Sequence, residues 1–104
     1  YCVYTANNRH FVRAMSDLHK CDSLCKRSNA SFTVVVLPYQ SQLRDKNFRP
    51  QQLIKTFCAN NSISFYDAAK SFTNHTNPNS FYLFADEIHF SEKGHRAIAE
   101  FLSQ

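Results

Sequence analysis

Residues 32–37 have the sequence Phe32-Thr33-Val34-Val35-Val36-Leu37 and are followed directly by Pro38. β-Branched and aromatic residues favour strands, and a run that is apolar at successive positions is typical of a strand buried on both faces of a parallel sheet. Proline cannot donate to a strand ladder, so it ends the run. The stretch therefore predicts an interior strand of an α/β protein.

The residues before this strand have helical periodicity. Apolar side chains recur at intervals of three and four residues from about Arg9 to Lys26, which is the spacing of an amphipathic helix. Asn7 or Asn8 is suited to cap its first turn, and the polar segment 27–31 ends it. A helix, a short turn and a buried strand make up half of an α/β repeat.

The chain beyond the strand continues the same alternation. Residues 38–44 follow the C-terminal end of the strand, where open parallel sheets hold their ligands. An irregular turn is predicted over 44–48, followed by a helix that Pro50 begins and that Asn60 and Asn61 end. A strand over 63–67 and a brief helix over 68–72 come next. The last predicted elements are a surface loop over 73–80 and an apolar segment over 81–84 that packs this loop down.

The chemistry is expected in the C-terminal stretch Asp86-Glu87-Ile88-His89-Phe90-Ser91-Glu92-Lys93-Gly94-His95. Asp86 lies three residues before His89, so in a tight turn its carboxylate can accept a hydrogen bond from the imidazole. A histidine that acts as a general base needs such an acceptor, which fixes its tautomer and stabilises the imidazolium. Taken alone, this spacing is more often a capping aspartate beside a surface histidine.

A helix follows this loop. Ser91 is suited to cap it, and Gly94, the only glycine in the chain, predicts close packing of its first turn against a neighbouring element. Ala97, Ile98, Phe101 and Leu102 form its apolar face. The pattern Asp86-x-x-His89-Phe90-Ser91-x-x-Gly94-His95-x-x-Ile98-Ala99 resembles the last sequence block of the SGNH hydrolases, the GDSL esterase and lipase superfamily. The resemblance extends over about residues 32–102, with a second similarity at 34–39.

This resemblance implies a fold and two site residues. The fold would be a three-layer α/β/α sandwich with a parallel sheet, SGNH- or flavodoxin-like. His89 would be the general base and Asp86 its orienting carboxylate, and neither a metal nor a cofactor is implied.

The nucleophile of this family cannot be placed in the sequence. It is a serine in a Gly-Asp-Ser type block, and a glycine and an asparagine from separate blocks complete the oxyanion hole. Gly94 is the only glycine, and Asn7 and Asn8 lack a Gly-x-Asn-Asp context. We therefore expect residues 1–104 to be a single domain that forms the incomplete C-terminal part of an SGNH-like domain, with the missing N-terminal segment as its partner. Alone, they are expected to hydrolyse no ester.

Composition and charge exclude several other classes of protein. The chain is 43% hydrophobic, but no apolar run reaches the roughly 18 residues that a membrane span needs, so no membrane span is expected. The net charge of +4 comes largely from basic residues in the first half. Because no nucleic-acid motif accompanies them, a solvated helix face is favoured and nucleic acid is not an expected partner.

The cysteines leave the redox compartment open. Cys21 and Cys25 stand four apart in the predicted helix, where a bond between them is poorly posed. His19 is the one further zinc ligand near them in sequence, so a metal site is not expected. A periplasmic or secreted location would follow if a signal peptide preceded Tyr1.

Three functional hypotheses fit these residues. The first is a serine esterase that acts on an acyl ester or an O-acetyl group. The second is a polysaccharide O-acetyltransferase of the same fold, in which Tyr39 and the basic segment 44–49 contact an acetylated glycan. The third is a non-catalytic binding module, which would be favoured if His89 pointed away from Asp86 or had no open side. The unpaired edge of an incomplete sheet also predicts association into a homo-oligomer.

Overall fold

The structure, a computed structural model, describes residues 8–72, 78–84, 86 and 88–104. Its elements, in chain order, are α1 (Arg9–Arg27), β1 (Thr33–Val36), α2 (Gln40–Asp45), α3 (Arg49–Asn60), β2 (Ser64–Asp67), a 3₁₀ helix (Ala68–Ser71), a second 3₁₀ helix (Pro78–Phe81) and α4 (Glu92–Leu102). β1 and β2 pair in a two-stranded parallel sheet, so the predicted α/β class is confirmed. The predictions for residues 1–7 and 73–77, which include the Asn7 cap, lie outside the described residues.

The described chain divides into two compact units. The first comprises the described residues up to Val35 together with Phe48–Tyr66, and the second comprises Val36–Asn47 and Asp67–Gln104. A single domain over residues 1–104 remains a prediction. No helix of the described residues has the length and apolar character needed to cross a membrane.

The helix α1 of the first unit begins where the sequence predicts it. Asn8 caps α1, because its side-chain Oδ1 accepts hydrogen bonds from the amides of His10 and Phe11 at 2.9 and 3.2 Å. Met15 lies buried on the inner face of α1. The buried carboxylate of Asp22 is paired with the Lys26 ammonium at 2.8 Å, as a buried charge requires.

Two predictions for the central chain were wrong. β1 is not buried on both faces: Thr33 is exposed and the three valines after it are half-buried, so the described residues cover its faces only in part. The irregular turn predicted over 44–48 begins later than expected, since Arg44 and Asp45 are the last residues of α2, a helix that was not predicted. Leu43, which is 2% exposed, anchors this short helix in the core of the second unit, and Lys46 ends it in the left-handed conformation, with a φ of 57°.

An aromatic cluster forms the core of the second unit. The rings of Phe72 and Phe81 lie 4.7 Å apart, those of Tyr82 and Phe90 lie 4.9 Å apart, and those of Phe72 and Phe90 lie 5.8 Å apart. Buried aromatic pairs at such distances add about 0.5–1.5 kcal/mol beyond the area that they bury. The buried Tyr82 hydroxyl donates to the Pro38 carbonyl at 2.7 Å. This cluster holds the segment that leads to Asp86 and His89.

The apolar segment 81–84 divides at its centre. Phe81 and Tyr82 are buried, as predicted, but Leu83 is half-exposed and Phe84 is fully exposed. The expectation that all four residues pack down was therefore wrong. The Leu83 amide donates to the His89 carbonyl at 3.0 Å, so the chain turns away from the core at this point.

Candidate active site

The loop that carries Asp86 and His89 is closed at its base. Tyr82 and Phe90 form an antiparallel β-bridge, and the Leu83 amide donates to the His89 carbonyl. Because Tyr82 and Phe90 also belong to the aromatic cluster, both ends of the loop are fixed to a packed core. The loop therefore holds His89 on a supported backbone.

The Asp86 carboxylate uses both of its oxygens. Oδ1 accepts from the backbone amides of Ile88 and His89 at 3.0 and 3.1 Å, and Oδ2 lies 2.6 Å from Nδ1 of the His89 imidazole. The two amide bonds fix the orientation of the carboxylate, which leaves Oδ2 aimed at the ring. The predicted contact between Asp86 and His89 is present, and the catalytic roles of the two residues remain a prediction.

The same contacts set the charge of the carboxylate. The hydrogen bond from the Ile88 amide, followed by the bond from the His89 side chain, holds the pKa of Asp86 below its ordinary value. An ionised carboxylate can only accept hydrogen bonds, so the His89 proton is assigned to Nδ1 from this geometry. The other ring nitrogen, Nε2, then carries the lone pair that a general base needs.

The imidazole is open to incoming groups. The His89 side chain is 67% exposed, whereas the Asp86 side chain is 33% exposed. A charge-assisted hydrogen bond at such exposure contributes little to folding stability. The arrangement instead orients a reactive nitrogen toward solvent.

The loop joins α4 through a tight set of contacts. Ser91 caps the helix, because its Oγ accepts from the Gly94 amide at 3.2 Å and donates to the Ser80 carbonyl at 2.7 Å. The Ser91 amide donates to the Phe81 carbonyl at 2.8 Å. A Cβ at position 94 would overlap that same carbonyl oxygen, so the prediction that Gly94 permits close packing is confirmed.

Other residues that the sequence singled out lie apart from this pair. His95 is exposed on α4, and its ring makes an edge contact with Phe90 at 6.1 Å. Tyr39 is half-exposed, and the Arg44 guanidinium is paired with Asp45 at 3.2 Å. In the described part of the chain, no group of three or more His, Cys, Asp or Glu side chains is placed to hold a metal ion.

The three described cysteines differ in environment. Cys21 is exposed, Cys25 is half-buried and Cys58 is fully buried, and all three are free thiols. Burial raises the pKa of the Cys58 thiol, and the negative charge of Asp22 adds to the rise. Cys58 is therefore an unreactive packing residue.

One part of the site was missed from the sequence. The Ile88 amide makes the hydrogen bond that lowers the pKa of Asp86 the most, yet Ile88 was not singled out. A signal was available, because an aspartate in a turn commonly accepts from the amide two residues further on. The role of the Pro38 carbonyl as acceptor for Tyr82 had no such signal, since these residues are far apart in sequence.

Comparison with known proteins gives one match. Residues 4–102 match the family model described as GDSL-like Lipase/Acylhydrolase. No curated protein and no solved structure matches the chain significantly. The match reaches further toward the N-terminus than the segment 32–102 over which the sequence pattern was similar.

Proposed function

Because the chain belongs to the GDSL-like lipase/acylhydrolase family, we propose that Asp86 and His89 are the orienting carboxylate and the general base of a serine esterase. The observation that carries this proposal is the 2.6 Å contact between Asp86 Oδ2 and His89 Nδ1, made by a histidine whose side chain is 67% exposed. It is the contact between base and carboxylate that a serine hydrolase triad requires.

The proposed reaction assigns His89 one proton transfer in each direction in each of its two half-reactions. Nε2 takes the proton of a serine hydroxyl while the serine oxygen bonds to the ester carbonyl carbon. The Asp86 carboxylate stabilises the imidazolium, which then gives its proton to the departing alcohol as the ester C–O bond breaks. The acyl-enzyme is resolved by water, which His89 deprotonates in the same way, and the serine regains its proton.

The serine and the oxyanion donors are not assigned to positions of this chain. The family's Gly-Asp-Ser type block needs a glycine, and Gly94 is already required for the close packing of α4 against Phe81. We place these groups in a further segment of the same domain. β1 and β2, joined through α3, would then be part of a three-layer α/β/α sandwich, which their parallel pairing supports.

Transfer of the acyl group to a sugar hydroxyl is the second candidate. Tyr39 favours this acyl transfer, because its side chain is 53% exposed. Tyr39 follows Pro38, whose carbonyl accepts a hydrogen bond from Tyr82 at the base of the loop. An exposed aromatic ring is suited to stacking on a sugar. The two candidates share the same base and carboxylate and differ in the acceptor.

The orientation of His89 weighs against a non-catalytic module. Such a module would be favoured by a histidine that points away from Asp86 or has no open side. His89 contacts the carboxylate through Nδ1, and most of its side chain is exposed. This observation supports the catalytic proposal.

The test uses the protein expressed from its complete coding sequence. His89→Gln should lower kcat for an activated acyl ester by roughly 1000-fold or more, because the serine loses its base. Asp86→Asn should also lower kcat strongly, since the amide no longer selects the tautomer with Nε2 free. The matched control is His95→Gln, which changes an exposed histidine on α4 and should leave kcat within about twofold.

A fluorophosphonate probe gives a second measurement. It should label one serine in the wild-type protein and in the His95→Gln variant, and label the His89→Gln variant far more slowly. Labelling that is equally fast without His89 would overturn the assignment of the base. With a soluble oligosaccharide in the assay, an acylated sugar product would select transfer over hydrolysis.

A further inference from the structure

A second concave site lies in the same compact unit. It is a groove of about 550 Å³ between the 3₁₀ helix Ala68–Ser71, Phe81 and the outer part of α4, and neither Asp86 nor His89 lines it. This volume falls in the range of small-molecule sites, about 300–1000 Å³. The groove is therefore large enough for a ligand of its own.

The charge of the groove is positive. Lys70, Lys93 and Arg96 line it, and Glu100 is the one carboxylate among its lining residues. The Lys93 ammonium lies 5.1 Å from the centroid of the Phe81 ring, which holds this cation over an aromatic face. The three cations favour an anionic group.

Arg96 is available to a ligand although it has a partner. Its guanidinium lies 3.0 Å from the Glu92 carboxylate, but the two side chains are 65% and 89% exposed. A pair this exposed is weak and is readily exchanged for a better-placed anion. The bidentate fork of arginine suits a carboxylate or a phosphate.

The groove also contains apolar surface. Ala97 and Phe101, both half-buried, contribute its accessible apolar part, whereas Phe81 also lines the groove but is 1% exposed.

We propose that this groove binds an amphipathic organic anion, with its carboxylate or phosphate held by Lys93 and Arg96 and its apolar body on Ala97 and Phe101. The three cations select the charge, and the aromatic lining selects the apolar group. The proposal does not depend on the esterase assignment, because its measurement is binding and not turnover.

The test is calorimetric titration of the protein expressed from its complete coding sequence with four probes below their micellar concentrations. Dodecanoate and dodecyl phosphate should each bind with a stoichiometry of one. Inorganic phosphate tests the charge alone, and dodecyl maltoside tests the apolar chain alone; each should bind at least about tenfold more weakly. Equal affinity for the uncharged maltoside, or for inorganic phosphate, would overturn the proposal, as would a lack of saturable binding.

Variants locate the bound anion. Lys93→Gln with Arg96→Gln should weaken dodecanoate binding by about tenfold or more. The matched control removes two exposed cations of α1, Arg13→Gln with Lys20→Gln, and should leave the affinity unchanged. His89→Gln should also retain binding, and loss of binding in that variant would place the anion at the catalytic pair instead.

Discussion

Replacing Gly94 by alanine has two opposite effects on the free energy of unfolding, and the sign of each is known. Alanine is favoured over glycine inside a helix by about 1 kcal/mol. However, the new methyl group would overlap the Phe81 carbonyl oxygen and lie 3.0 Å from Phe90 Cβ and 3.1 Å from the Phe81 carbonyl carbon. All of these atoms belong to the packed core or the backbone, so relief requires α4 to move away.

The cost of that movement exceeds the gain. Overpacking a core position costs about 1–3 kcal/mol, and the hydrogen bond from the Ser91 amide to the Phe81 carbonyl, 2.8 Å long, is worth about 1 kcal/mol. After the propensity gain is subtracted, Gly94→Ala should lower the free energy of unfolding by about 2 kcal/mol. Urea titration followed by circular dichroism measures this change.

The control is the reverse substitution in the same helix. Ala99 is exposed on α4, so Ala99→Gly should lower the free energy of unfolding by about 1 kcal/mol through helix propensity alone. A Gly94→Ala variant as stable as the wild-type protein, or more stable, would refute the close contact between α4 and Phe81.

The remaining predictions concern pH and a buried hydroxyl. Because the pKa of Asp86 is lowered in the folded protein, its contribution to stability is present above the unfolded pKa, about 3.9, and is lost as the pH falls through the folded value. In a carboxyl NMR titration, His89→Ala should raise the Asp86 pKa only part of the way, since the Ile88 amide still donates; a full return to the ordinary value would contradict this. Tyr82→Phe leaves the buried Pro38 carbonyl without its donor and should lower the free energy of unfolding in urea by about 1–2 kcal/mol. Burial also raises the pKa of Tyr82, so the wild-type protein should lose stability as the pH rises above about 10, and the phenylalanine variant should lose less.

The exposure of Asp86 and His89 has a consequence for the proposed reaction. Charges that face water are screened, and electrostatic stabilisation of a transition state is strongest where water is excluded. The loop orients the two side chains, but the described residues do not desolvate them. For the proposed roles of these two residues, we expect bound substrate to supply the exclusion of water.

Much of the local structure was predictable because it depends on near neighbours. The α1 cap at Asn8, the α4 cap at Ser91 and the turn from Asp86 to His89 each use hydrogen bonds that span two or three residues. The residues that make these hydrogen bonds are two or three positions apart, so their spacing is sufficient to predict the bonds.

Burial along the apolar segments was less predictable. Phe81 and Phe84 are equally hydrophobic and lie in one run, yet one is 1% and the other 100% exposed. The difference arises because the chain is pinned by the bridge between Tyr82 and Phe90 and then turns outward. The short helix α2 also depends on tertiary packing, since the burial of Leu43 stabilises six residues that have no clear helical pattern.

The sequence by itself determined the three longer helices, the caps at Asn8 and Ser91, the pair of strands, the family pattern and the spacing that lets Asp86 reach His89, because those features depend on local hydrogen bonds and on the periodicity of apolar side chains. Only the tertiary structure decided how far the His89 ring is exposed and that Lys70 and Arg96 line one groove. These features depend on packing between segments distant in the chain, and periodicity carries no information about which distant surfaces meet.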